Sequence, residues 1–264
     1  MSVVDPDVFF KRGYVVIPFT RRGALLRLQA LVRSYFSGSQ PSALKLAGLM
    51  QDEHTLLVKK INDKIMESRL VRDLIRENSG TFERFLGPAI DIQAAPHLRL
   101  SRPRLESDLV GWHRDSFYGN KPWEVNVWFP VFKLLPGAGL RILPGSQREP
   151  SRNVRDATDS DPFRAGVKKG SLAHQIGHVY SPKIDDTLAA MKIEDTDLIA
   201  PKVGQAIFFF GSCAHKAQNH SSGVRVSIDL RMKNAYAASG TRTGYYEPLC
   251  RGPVELCTES FHKS

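Results

Sequence analysis

Long apolar runs are missing from this 264-residue chain. Nowhere do about 18 or more hydrophobic residues follow one another, the length a membrane-spanning helix requires. The first residues, MSVVDPDVFFKRGYVV, lack a basic segment leading into an apolar stretch, so no secretory signal is expected. Cysteine is scarce and odd in number: Cys213, Cys250 and Cys257, with no CxxC pair. That argues against a disulfide framework or a structural zinc site and suits a reducing, cytoplasmic compartment. Internal repeats and low-complexity segments are also absent. Acidic residues are outnumbered, 27 against 37 Lys and Arg, giving a net charge of +10. The basic residues are scattered among acidic ones rather than gathered in a stripe, which describes a solvated surface. No nucleic-acid or membrane partner is therefore expected, although an anionic ligand could use one or two interior arginines.

What is present is ample apolar material, 42% of residues, and a clear order. The length suits one domain over 1–264. Residues 1–88 read as a mostly helical support. Gly13–Pro18 reads as a strand closed by proline. Leu25, Leu26, Leu28, Leu31 and Val32 give one helical face that ends near Gly38, and a second helical region spans about 55–76. Beyond Gly87 the apolar period changes to two. Ile90–Ala94, His97–Arg102, Glu124–Phe129, Gly139–Leu143, Gln205–Phe210 and Val224–Leu230 alternate, with Pro and Gly turns between them. Short alternating strands at 89–147 and 198–235 predict a mainly β sandwich or barrel. The polar stretch 148–197, with a possible helix near 185–192, reads as an insertion or lid.

Two segments carry chemistry. In Gly111-Trp112-His113-Arg114-Asp115, the histidine and the carboxylate are two apart, so on an extended backbone they point to one side. They would supply half of the two-His-one-carboxylate set that leaves three metal positions open. The second segment, Phe208 to Ser227, contains His215, a polar tip at Asn219–Gly223, and then Arg225 and Ser227. Read as a hairpin about position 220, it sets His215 opposite Arg225. A dicarboxylic acid could then bind metal at one end and form a charge-assisted pair with Arg225 at the other, with the Ser227 hydroxyl beside it.

With these motifs in place the chain resembles the 2-oxoglutarate oxygenases of the phytanoyl-CoA hydroxylase type. The resemblance rests on Phe10…Gly13-Tyr14-Val15-Val16, His113-x-Asp115, Trp128-Phe129-Pro130, Leu143-Pro144-Gly145-Ser146 and His215…Asn219…Arg225-x-Ser227. It implies a double-stranded β-helix, a cupin-like jelly roll flanked by N-terminal α-helices. It implies iron(II) on His113, Asp115 and His215, 2-oxoglutarate as cosubstrate on Arg225, and molecular oxygen as oxidant. It also implies cosubstrate contacts from Asn126 and Trp128. Details around Phe117-Tyr118-Gly119 and Arg225–Arg231 resemble bacterial oxygenases of sugar, aminoglycoside or oligosaccharide antibiotic biosynthesis, so a polar, sugar-containing small molecule is the expected substrate. Related halogenases lack a carboxylate where Asp115 stands. Gln147 departs from the more usual Pro-Gly-Ser-His turn.

Trp112, Tyr118, Arg99, Arg102 and Arg231 are candidate substrate contacts, against core packing for the aromatics and surface ion pairs for the arginines. His220 is the rival to His215 but sits at the expected turn. His97 reads as a packed or hydrogen-bonded histidine. His174 and His178 are four apart but lack the glutamate of an HExxH zinc site, which suits a surface or lid position. The alternatives are the same chemistry on an acyl-CoA or lipid-like substrate, and a non-catalytic jelly roll that binds a ligand and keeps its metal. Oligomeric state and the C–H bond attacked stay open.

Overall fold

The structure is a computed structural model, and it describes residues 5–118, 120–149, 191–239, 241 and 243–252. The possible helix near 185–192 falls mostly outside these residues; His174, His178 and Cys257 lie wholly outside them. The chain begins with α1 (Pro6–Arg12), β1 (Tyr14–Pro18), α2 (Gly23–Ser34), α3 (Ala43–Leu46), α4 (Gln51–Ser68), α5 (Leu70–Glu77) and α6 (Ser79–Leu86). There follow β2 (Ile90–Gln93), β3 (His97–Ser101), β4 (Val125–Pro130), β5 (Ala138–Ile142), β6 (Asp197–Ile199), β7 (Gln205–Phe210), β8 (His215–Asn219), β9 (Arg225–Asn234) and β10 (Tyr246–Cys250).

Helix α1 shows why its boundaries fall where they do. The Asp5 carboxylate accepts from the Asp7 N–H, and Pro6 occupies the first turn, where no N–H is needed. Gly13 ends the helix at φ 82, donating to the Phe9 carbonyl. A Cβ on Gly13 would lie 2.3 Å from both Cys213 Sγ and Gln147 Oε1, so only glycine fits this junction. The region expected as one helix over 55–76 is two helices. Arg69 adopts φ 58 between α4 and α5, and the chain turns there.

The strands form an antiparallel jelly roll. Seven belong to a large sheet in the order β1-β7-β4-β9-β2-β10, with β3 also pairing β9; β6-β5-β8 form the small sheet. Strands β6 and β10 were not foreseen, and β6 begins at Asp197, one residue before the strands were expected to resume. The alternation along each strand divides the interior in two. Ala206, Phe208, Val127, Phe129, Val226, Ile228, Leu230 and Met232 face the helices and form one core with Phe9, Leu25, Leu28, Val32, Leu74 and Ile75. Trp128, Ile207 and Phe209 point the other way and pack with Tyr14, Leu140, Ile142 and Cys213 between the sheets. Phe208 is fully buried against the rings of Phe9, Phe82 and Phe85. Phe208→Ala should therefore cost about 3–5 kcal/mol, read as a shift of the urea midpoint; a change below about 1 kcal/mol would mean the helical layer is not anchored here.

The expected hairpin between β8 and β9 is absent. Strand β8 pairs with β5 in the small sheet, whereas β9 pairs with β3, β4 and β2 in the large one. Residues 220–224 thus cross from one sheet to the other. The Asn219 side-chain amide holds this crossing by donating to the carbonyls of Ser101, Arg102 and Gly223. The sequence pattern misled because a polar turn between two apolar runs looks the same whether the strands pair or pass to opposite sheets.

Candidate metal centre

His113 and His215 meet as backbone partners: each donates its N–H to the other's carbonyl, at 3.0 and 2.9 Å. His215 lies opposite Ile142 of β5, not opposite Arg225. After His113 the chain does not continue as an extended strand; Asp115 opens a short 3-10 turn, Asp115–Tyr118. Two contacts hold this bend. The Asp115 N–H donates to the Gly211 carbonyl at 2.7 Å, and the buried Arg114 guanidinium donates to the Ser212 and Ser146 carbonyls. The bend still brings the motif's side chains together: His113, Asp115 and His215 each offer a ligand atom, all within 4.8 Å of one another.

The protonation pattern suits a cation. Nδ1 of His113 lies 2.7 Å from the Gly111 carbonyl, and Nδ1 of His215 lies 2.9 Å from that of Cys213. A carbonyl only accepts, so each ring carries a proton on Nδ1, and Nε2 is the ring atom that could bind a metal. Burial, followed by the neighbouring His113, lowers the pKa of His215 to about 4 and keeps it neutral. Burial alone would raise the Asp115 pKa, but Arg231 and the two histidines hold it well below the ordinary carboxylate range. Asp115 Oδ1 has no hydrogen-bond partner, although it is buried, and it lies 3.4 Å from His113 Nε2. A buried carboxylate oxygen without a hydrogen bond, set beside two imidazoles, is an arrangement that a bound cation completes. The residues present therefore fit a divalent metal held by two imidazoles and one carboxylate.

The inner face of β9 carries Arg225, Ser227, Asp229 and Arg231 in succession. Arg225 sits in register with Ser101 of β3, its Nε donating to Ser101 Oγ and Nη1 to the Gly139 carbonyl, over the Trp128 ring at 5.6 Å. It is 2% exposed, and among the described residues no carboxylate pairs with it. Burial, then the charge of Arg99, pulls its pKa down to about 10. Ser227 Oγ is buried on the same face without a partner. A buried cation and an orphaned hydroxyl two residues apart make a receptor for an anion.

The remaining candidates fall out differently. Arg231 is neither on the surface nor turned toward a ligand: it is fully buried and ion-paired to Asp115 at 2.8 Å. Asn126 is committed to the same carboxylate, its Nδ2 donating to Asp115 Oδ2 at 2.6 Å, while its Oδ1 has no partner. Arg102 is tied to Asp108, the Leu49 carbonyl and Gln51, fastening the end of β3 to α4 rather than facing a pocket. Arg99 stays partly exposed on the inner face of β3, 3.5 Å from Asp229. Trp112 is half-buried beneath Lys216 at 5.8 Å. The side chain of Tyr118 lies outside the described residues. His220 is exposed beside Glu106, away from the triad. Sequence reasoning missed Arg114 and Gln93, whereas the two-residue period of β9 already marks Asp229 as sharing a face with Arg225, Ser227 and Arg231.

His97 is hydrogen-bonded to Gln93, as a packed histidine should be. Burial and then Arg99 lower its pKa to about 3. In the unfolded chain an imidazole binds its proton near about 6.5. Between these values the unfolded state holds a proton that the folded state refuses, so stability is full above about 6.5 and falls as pH drops toward 3. The urea midpoint should be lower at pH 5 than at pH 7.5, and His97→Asn should shrink that difference. An identical difference in the variant would assign the effect elsewhere, first to His215.

No family model matches the chain, and no curated protein matches it either. Solved structures do share its fold. A non-haem monooxygenase, ThoJ, superposes with a TM-score of 0.52 at 16% identity, over 97% of this chain and 93% of that one. The non-haem α-ketoglutarate-dependent carbocyclase SnoK from nogalamycin biosynthesis gives 0.54 at 13% identity, over 92% and 94%. The α-ketoglutarate-dependent epimerase SnoN from the same biosynthesis gives 0.51 at 13%, over 92% and 96%. At such identities the likeness is one of fold: a double-stranded β-helix with N-terminal helices.

Proposed function

We propose that this chain is a non-haem iron(II) oxygenase dependent on 2-oxoglutarate, oxidising a C–H bond of a polar, sugar-containing small molecule. The observation that carries the proposal is the pairing of two incomplete sites in one interior. One has a buried carboxylate oxygen, without a hydrogen-bond partner, beside two imidazoles. The other has a buried arginine without a carboxylate partner and a serine hydroxyl without a hydrogen bond among the described residues. His113, Asp115 and His215 would hold iron; Arg225 and Ser227 would hold the far carboxylate of 2-oxoglutarate, with Trp128 as the floor beneath Arg225. Iron with 2-oxoglutarate and oxygen supplies the oxidising power for an unactivated C–H bond, at the cost of 2-oxoglutarate becoming succinate and carbon dioxide.

The protein's own share is binding and orientation. The Nδ1–H groups of both histidines donate to backbone carbonyls, which fixes the rings. Arg225 and Ser227 set the direction of the cosubstrate through charge-assisted hydrogen bonds. Trp112, Arg99 and Tyr118 are assigned to the substrate side. The related folds include an epimerase and a carbocyclase as well as a monooxygenase, so hydroxylation and oxidative cyclisation are both within reach of this frame. The test is succinate release from 2-oxoglutarate with iron(II), ascorbate and oxygen, with and without a panel of glycosides. Release stimulated by a glycoside supports the proposal. No succinate above background, together with no tryptophan quenching on adding 2-oxoglutarate, would point to a ligand-binding jelly roll instead. Stimulation by an acyl-CoA rather than any glycoside would redirect the substrate class.

A further inference from the structure

We propose that Arg231, with Asn126, is a positioning pair that forces Asp115 to meet the metal through one oxygen only; this rests on the metal-centre reading above. The two carboxylate oxygens of Asp115 live in different surroundings. Oδ2 receives three N–H groups: Arg231 Nε at 3.1 Å, Arg231 Nη2 at 2.8 Å and Asn126 Nδ2 at 2.6 Å. Oδ1 receives none and faces His113 Nε2. Both members of the Arg231–Asp115 pair are 1% exposed at the side chain, so water does not compete for either oxygen.

Arg231 is itself held. Its backbone N–H and Nη1 both donate to Gln93 Oε1 at 3.1 and 3.3 Å, and Nη1 lies 3.4 Å from the Tyr245 hydroxyl. The guanidinium is therefore fixed by β2 and by the residue preceding β10 before any metal arrives. A carboxylate whose second oxygen already accepts three hydrogen bonds cannot turn to chelate without breaking them. Held to one oxygen each, the three ligands take three metal positions and leave three. A chelating Asp115 would take a fourth, one that a bidentate cosubstrate and a further small ligand together require. Asn126 thus serves Asp115 directly, and only its unpartnered Oδ1 remains to turn toward a bound molecule.

The test uses the full chain freed of metal and titrated with cobalt(II) alone, followed by calorimetry and visible absorption. Wild type should bind one cobalt per chain. Arg231→Met should weaken that binding about 10–100-fold, the usual scale for groups that orient a ligand, and should change the visible band as coordination number changes. Arg231→Lys, which keeps the charge but offers fewer directed N–H groups, should recover part of both. Asn126→Ala should shift the band with a smaller loss of affinity. A merely structural role for Arg231 would move the thermal midpoint without moving the band. If Arg231→Met does not fold, the lysine and Asn126→Ala variants decide. Wild-type affinity and an unchanged band in the folded variants overturn the proposal. Failure of wild type to bind cobalt at all overturns the metal-centre reading itself, a distinct outcome.

Discussion

Asp115→Ala is expected to abolish tight metal binding and also to destabilise the protein before any metal is added. The first effect follows from losing the only carboxylate among the three candidate ligands. The second follows from what the carboxylate leaves behind. Arg231 is fully buried, and Asp115 is its ion-pair partner among the described residues. Removing one member of such a pair strands a charge in a dry interior, which costs about 3–5 kcal/mol. The two effects separate in the double variant Asp115→Ala/Arg231→Met, which should regain much of the lost stability without regaining metal. Calorimetric titration with cobalt(II) reads the first, and urea unfolding of the metal-free proteins reads the second. Tight one-to-one binding in Asp115→Ala would show that the ligand set has been misassigned.

Arg225→Met should do the reverse: weaken the cosubstrate while leaving the fold intact. The guanidinium is buried without a carboxylate among the described residues, and burial already pulls down its pKa. Such a group is held in a state the empty protein does not favour, which is common where a ligand completes a site. Methionine keeps the hydrocarbon against the Trp128 ring and removes the charge. Losing a charge-assisted pair worth about 1.5–3 kcal/mol should raise the 2-oxoglutarate dissociation constant about 10–150-fold. Cobalt affinity should stay near the wild-type value, and the urea midpoint should not fall. Unchanged 2-oxoglutarate affinity with a lower midpoint would make Arg225 a structural residue holding Ser101 and Gly139.

Much of this centre was legible because β-strands broadcast their faces. The two-residue period of Arg225, Ser227, Asp229 and Arg231 put all four on one side, and the structure places them on the inner face of β9. The mainly β class and the helical N-terminal third followed from apolar periodicity in the same way, whereas the jelly roll was implied only by the family resemblance. Three features were beyond the pattern. The turn at 220–224 joins different sheets, and local sequence does not encode whether flanking strands pair. The break at Arg69 uses a left-handed backbone angle at a residue that gives no glycine or asparagine signal. The ion pairs of Arg231 and Arg102 link residues 116 and 6 positions apart, respectively, and neither could be told from a surface charge without the fold.

Strand β9 puts its apolar side chains, Val226, Ile228, Leu230 and Met232, into the helix-facing core, while its polar ones hold the site. A slip of one residue would expose Arg225 and Arg231 to the oily side and Leu230 to the polar one. A molecule mispaired in this way would be badly unstable as well as inactive. Correct register therefore aligns Arg225 and the Arg231–Asp115 pair in the same step that buries the apolar face of β9.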